Sequence, residues 1–200
     1  VETLAIGCHA INRAHPQASE AVLVIGAGPI GLSVVEFAKL SGARTIVMDM
    51  NEKRLAFVRE RMSVADTILT KGDGEELKAL AALTDGRLAD VVVDATGSNK
   101  AMSHALNYCA FAGRLVYVGI TQAELGFPHA PIMHRRELTL LASRNALAGD
   151  FTRIIRLIED GRIDTQPWIT HHAAFDEMIA VFPEWLKPET GVIKAMVAVG

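Results

Sequence analysis

Gly26, Gly28 and Gly31 stand at the spacing G-x-G-x-x-G, between the β-branched run Ala21-Val-Leu-Val-Ile25 and a helical pattern that opens at Pro29. Glycine at the first position permits a tight strand-to-helix turn. At the second it lets a pyrophosphate approach the backbone, and at the third it lets helix and strand pack closely. A helix starting there aims the unspent N–H groups of its first turn at an anion, and Pro29, which has no N–H to waste, leaves the amides of Ile30 and Gly31 available. A second apolar run, Thr45-Ile-Val-Met-Asp49, ends in an acid roughly 20 residues further on, the separation at which a carboxylate meets the hydroxyls of an adenosine ribose. The chemistry is that of holding a dinucleotide, with phosphates on the turn and ribose on Asp49. A carboxylate repels a 2′-phosphate at close range, so NAD is favoured over NADP. Met50 and Arg54 follow Asp49 at the same end of the strand; Arg54 reads equally as a ligand contact or as part of a solvated helix face.

Such a turn needs elements to hold it, and the chain alternates apolar strand patterns with helical ones. Strands are expected at 21–25, 44–49, 66–69, 90–95, 113–119 and 138–142, with helices at 29–41, 51–61, 74–83 and 98–109 between them. This rhythm predicts an α/β fold, a doubly wound six-stranded parallel sheet. Uninterrupted apolar runs such as Val91-Val-Val93 fit strands covered on both faces. Asn51 and Ser98 are placed to cap helices, and Ser41-Gly42 to end one. A helix over 3–14, closed by His15-Pro16, precedes the first strand, and another over 151–159 follows the last. After Asp160-Gly161 the rhythm changes to a strand from Trp168, a helix over 175–182 broken by Pro183, and a strand over 192–199.

Ligands of open α/β sheets bind outside the carboxyl ends of the strands. Thr96 and Gly97 after the fourth strand, Val118, Gly119 and Ile120 at the end of the fifth, and Ser143 and Arg144 after the sixth therefore join the candidate cofactor site, with Asp94 as a cap. The 200 residues have a formal net charge of −3, without the basic surplus a nucleic-acid or anionic-membrane partner calls for. No apolar run approaches the length of a membrane span. Two cysteines, Cys8 and Cys109, without a C-x-x-C pair, suit a reducing cytoplasm. The adjacent His171 and His172 point to opposite faces of a strand and do not clasp one ion, and they read, with His104, His129 and His134, as surface or interdomain residues. No general acid or base is assignable by spacing.

The segments Gly26-Ala-Gly-Pro-Ile-Gly31, Asp49 with Asn51-Glu-Lys-Arg54, Asp94-Ala-Thr-Gly97, Gly113-Arg-Leu-Val-Tyr-Val-Gly119, Leu140-Leu-Ala-Ser-Arg-Asn145 and Val1-Glu-Thr-Leu-Ala-Ile-Gly-Cys-His9 together resemble the medium-chain, zinc-dependent alcohol dehydrogenase superfamily, in its sorbitol, threonine and sugar-acid dehydrogenase branch. The resemblance covers essentially the whole chain. It implies a Rossmann domain over 16–164, a helix over 1–15 by which the chain arrives from a catalytic domain, and a segment over 165–200 that returns to that GroES-like domain, which is missing here. It implies, too, that Arg54 lies along the adenine or ribose, that the ends of the fifth and sixth strands line the nicotinamide, and that Glu2 lies at a catalytic zinc whose other ligands belong to the absent half; Thr3 stands where many relatives have proline. The function implied is hydride transfer between a secondary alcohol, a polyol or sugar acid, and NAD. A homodimer or homotetramer is expected, with Ala123–His129 near an edge. The competing reading is a non-catalytic module that senses NAD(H). A methyltransferase, which shares a glycine turn and an acid after its second strand, fits the Gly-Pro-Ile-Gly form and the six-strand extent poorly.

Overall fold

The computed structural model describes residues 1–199, so that of the expected returning segment only Gly200 lies outside the described residues. The chain divides into two compact units, Val1–Ile155 and Arg156–Gly200.

The first unit is built on a six-stranded, all-parallel sheet in the order β3-β2-β1-β4-β5-β6, with β1 Ala21–Ile25, β2 Arg44–Asp49, β3 Thr67–Leu69, β4 Ala89–Asp94, β5 Cys109–Tyr117 and β6 Thr139–Ala142. The crossovers are made by α2 Pro29–Leu40, α3 Glu52–Met62, α4 Glu75–Leu83, the short α5 Asn99–His104 and, between β5 and β6, a π-helical turn over His129–His134; α1 Glu2–Ala14 precedes the sheet and α6 Ala148–Glu159 follows it. The strand order reverses between β1 and β4, so the crevice beyond their carboxyl ends is the topological switch point. Every residue of β1 is buried, as a strand covered on both faces requires. Gly7 lets α1 cross α2 at backbone distance, since a Cβ there would fall 2.3 Å from the Ser33 carbonyl carbon. His15, left-handed at φ +49°, ends α1 as expected.

Several boundaries differ from expectation for local reasons. The helix expected over 98–109 narrows after His104 into a 3-10 turn over Ala105–Tyr108, and β5 begins at Cys109, not 113. Its early part is interrupted at left-handed Ala112, where the pairing with β4 shifts register and the Ala112 amide turns to the Arg136 carbonyl. β5 ends at Tyr117, two residues early, because the amides of Val118 and Gly119 both donate to the Asp94 carbonyl. The helix expected from 151 begins at Ala148: the Asp150 carboxylate reaches back to the Leu147 amide, the acidic half of a capping box.

In the second unit, β7 Ile169–Ala174 and β8 Lys194–Ala198 pair in parallel. Between them a 3-10 turn over Phe175–Glu177 leads into α7 Met178–Trp185, which runs through Pro183, where it had been expected to break. A proline removes a single backbone donor, and one such loss is tolerated here. Among the described residues no helix is long and apolar enough to cross a membrane.

Candidate dinucleotide site

The turn after β1 has the backbone its sequence demands. Gly26 is left-handed at φ +98° and its amide donates to the Met48 carbonyl at 2.8 Å, tying the turn to β2. A Cβ on Gly31 would stand 1.7 Å from the Gly26 carbonyl oxygen, so only glycine lets α2 start here. Gly28 caps α2 without a side chain, and a Cβ on it would meet nothing nearer than the Arg54 guanidinium at 3.8 Å. The space before Gly28 is open apart from the Arg54 guanidinium, and a helix that starts there presents its first-turn amides to an anion.

Asp49 is buried, with each carboxylate oxygen committed once: Oδ2 accepts from the Ala27 amide at 2.6 Å and Oδ1 from the Asn51 amide at 2.7 Å. A carboxylate accepts about four hydrogen bonds, so both oxygens retain capacity for a diol. The same acid thus fixes the glycine turn and the cap of α3, whose N-cap Asn51 accepts from the Lys53 amide at 2.9 Å.

A cleft of about 570 Å³ opens at the switch point, and Gly26, Gly28, Pro29, Asp49, Met50, Arg54 and Thr96 line it. Ile30 and Gly31 lie behind it in the first turn of α2. The remaining candidates form a neighbouring group at the ends of β4, β5 and β6. Gly97, at φ +64°, packs on the Ile120 carbonyl, and a Cβ on Gly119 would fall 2.4 Å from the Gly97 nitrogen. Val118 is buried there, whereas Ile120 is 82% exposed. Ser143 is buried, its amide donates to the Tyr117 carbonyl at 2.9 Å, and its hydroxyl has no partner among the described residues. Arg144 is exposed.

Asp94, fully buried, caps as expected: Oδ1 accepts from the Thr96 amide at 3.0 Å and from the Thr96 hydroxyl at 2.9 Å. Burial raises its pKa above the ordinary aspartate value, against the opposing pull of the Thr96 donors.

Thr70, Lys71, Gly72, Glu76, Lys100, His104 and Tyr108 also line the cleft, and sequence reasoning did not find them. Thr70 to Gly72 follow β3 directly, so the rule of strand ends was a usable signal for them. Lys100 folds its ammonium to within 3.3 Å of where a Gly72 Cβ would be. Tyr108 donates to Glu76 at 3.1 Å, and burial, then the Glu76 charge, drives its pKa upward. No spacing announces Glu76 or Tyr108. His104 is exposed, as expected, and borders the cleft as well.

The open cradle at Gly28, the unspent helix amides, the spare acceptor capacity of Asp49 and the adjacent Arg54 fit a dinucleotide. The residues do not fit a zinc ion. Among the described residues no group of three or more His, Cys, Asp and Glu could hold a metal. Cys8 and Cys109 are both buried, and burial chiefly raises their pKa values, to about 11 and about 12. Glu2, exposed in the first turn of α1, accepts from the neighbouring Thr3 hydroxyl at 3.4 Å.

Residues 29–160 match the family described as zinc-binding dehydrogenase. L-galactonate-5-dehydrogenase of Escherichia coli (strain K12) is 35% identical over 198 residues, covering 98% of this chain and 57% of that protein. L-arabinitol 4-dehydrogenase of Hypocrea jecorina is 30% identical over 201 residues, covering 98% and 53%. The crystal structure of an Escherichia coli oxidoreductase of unknown specificity has the same fold, with a TM-score of 0.90, 24% identity, and coverage of 100% of this chain and 56% of that one. The chain spans about half the length of the curated relatives it matches.

Proposed function

Because this chain belongs to the zinc-binding dehydrogenase family, in its polyol and sugar-acid branch, we propose that it is the cofactor-binding part of an NAD-dependent dehydrogenase acting on a secondary alcohol of a polyol or sugar acid. The observation that carries this reading is the pairing of an open Gly28 turn with Asp49, whose two oxygens are positioned by amides and still able to accept.

Bound NAD supplies the hydride acceptor. In this reading the amides at the start of α2, with Gly26, Gly28, Pro29, Ile30 and Gly31, hold the pyrophosphate, and Asp49, Met50 and Arg54 hold the adenosine ribose. Thr96 borders the same cleft, and Gly97, Val118, Gly119, Ile120, Ser143 and Arg144 form the wall toward the nicotinamide. We assign residues 1–15 to the arrival from a catalytic domain, 16–164 to the cofactor domain and 165–200 to a return to the catalytic domain. In the whole protein Glu2 would lie near a zinc whose other ligands are elsewhere, and no step is derived through that ion. A homodimer or homotetramer in the cytoplasm, where the free thiols of Cys8 and Cys109 are at home, completes the proposal.

Calorimetric titration of the chain with NADH and NADPH, alongside Asp49→Ala, tests it. Selective NADH binding that weakens at least tenfold in the variant is expected. A folded chain that binds neither nucleotide, or prefers NADPH, overturns the assignment.

A further inference from the structure

Asp94 stands at the meeting of three strand ends. Its main-chain carbonyl accepts from both Val118 and Gly119, at 2.9 Å each, and so stops β5 and sets the start of the Gly119 turn. Its side chain accepts twice from Thr96, whose hydroxyl in turn accepts from the Ser98 amide at 3.1 Å. Thr96 is thereby pressed toward the glycine turn, its methyl 3.2 Å from where a Gly26 Cβ would stand. The next residue, Gly97, packs on the Ile120 carbonyl from the other side. The peptide that separates the phosphate turn from the ends of β4 and β5 is therefore fixed by one buried carboxyl. That carboxyl's second oxygen has no hydrogen-bond partner among the described residues, although the residue is fully buried. Leaving such an atom unsatisfied is costly, and an apolar residue would fill the same space without that cost. The carboxyl therefore calls for a role beyond filling volume.

We propose that Asp94 is a positioning residue of the dinucleotide site, holding Thr96 and Gly97 so that the nicotinamide end of the cleft is fixed relative to the phosphate turn. The inference rests on the NAD reading above. It separates two parts of one ligand. ADP is held by the Gly26–Gly31 turn and by Asp49, which the Ala27 and Asn51 amides anchor independently of Asp94, and of the segment that Asp94 holds it meets Thr96 alone, which lines the same cleft. NADH meets Gly97 and the Gly119 turn as well.

The purified chain and the variants Asp94→Ala, Asp94→Asn and Thr96→Val are titrated with NADH and with ADP well below their unfolding temperatures. In Asp94→Ala the Thr96 amide and hydroxyl lose their shared acceptor, and the NADH dissociation constant is expected to rise about tenfold while that for ADP changes less than about threefold. Asp94→Asn keeps an oxygen that accepts both bonds, and with burial already favouring the uncharged carboxyl, it is expected to recover most of the NADH affinity. Thr96→Val, which loses only the hydroxyl bonds, is expected between the two and carries the test if Asp94→Ala does not fold. Equal weakening of NADH and ADP, unchanged NADH binding, or failure of a folded Asp94→Asn to recover overturns the proposal and leaves the NAD reading standing. Absence of NADH binding by the unsubstituted chain overturns both.

Discussion

Asp49 does two jobs with one carboxylate, and they are separable by measurement. Asp49→Ala removes the acceptor of the Ala27 and Asn51 amides. Unpaired buried amides cost about 1–3 kcal/mol. Urea denaturation without nucleotide should therefore show a loss of that size, on top of the weaker NADH binding. Glu20 gives a pH-dependent counterpart. The Arg114 guanidinium, donating to both its oxygens at 2.9 and 2.6 Å, holds its pKa below the ordinary glutamate value. An acid lowered in the fold stabilises fully above its unfolded pKa, and the contribution is lost as pH falls through the folded value. Glu20→Gln should thus lower Tm near neutrality and flatten its decline below about pH 4.5, the ordinary value for the group; an unchanged acid limb by calorimetry would contradict the assignment. The parts of the site that were legible from sequence are those whose function is a backbone constraint or a fixed spacing, namely the glycines and Asp49. Glu76 and Tyr108 were illegible because α4 and a 3-10 turn deliver them, and tertiary packing alone sets their distance from the cleft.

Within the turn between β1 and α2, Gly28 and Gly31 are needed for opposite reasons. Gly31→Ala drives a methyl group into the Gly26 carbonyl, so the turn cannot form as it stands. A severe loss of stability is expected, with Tm falling or soluble protein disappearing. Gly28→Ala meets nothing within contact except the movable end of Arg54. That variant should fold with Tm near that of the parent yet bind NADH at least tenfold more weakly, because the methyl occupies the approach of the phosphates. Equal stability losses in both would refute this reading of the turn. The periodic elements were legible for the same physical reason the turn was: buried parallel strands read as continuous apolar runs, and caps such as Asn51 bond where their type predicts. What escaped was decided by contacts remote in sequence. The early start of β5 depends on a register shift against β4 and on Arg136, whose guanidinium donates to the Asn107 and Cys109 carbonyls at 3.0 and 2.9 Å. Its early end depends on the Asp94 carbonyl. Neither is written in local propensity.

At the scale of the whole molecule, the second unit carries an apolar stripe. Phe175, Ile179, Phe182 and Leu186 recur at intervals of three and four through the 3-10 turn and α7, and all are exposed, Ile179 by 93%. Apolar faces of this kind mark interaction surfaces, in keeping with the proposed return of this segment to a catalytic domain. The isolated chain should self-associate at micromolar concentrations in sedimentation velocity, and Ile179→Glu should shift it toward monomer; a monomeric parent would refute the expectation. The strand order has a kinetic consequence of another kind. β1, β2 and β3 follow one another in the chain and lie side by side, as do β4, β5 and β6, so each trio can zip from near neighbours. The seam between the trios joins β1 to β4, and the bond from the Ala21 amide to the Asp90 carboxylate there spans 69 positions. Closing so long a loop costs entropy before any pairing repays it. The crevice at that seam is therefore expected to form last during refolding, so that nucleotide binding should appear in stopped-flow only after the two hydrogen-bonded halves.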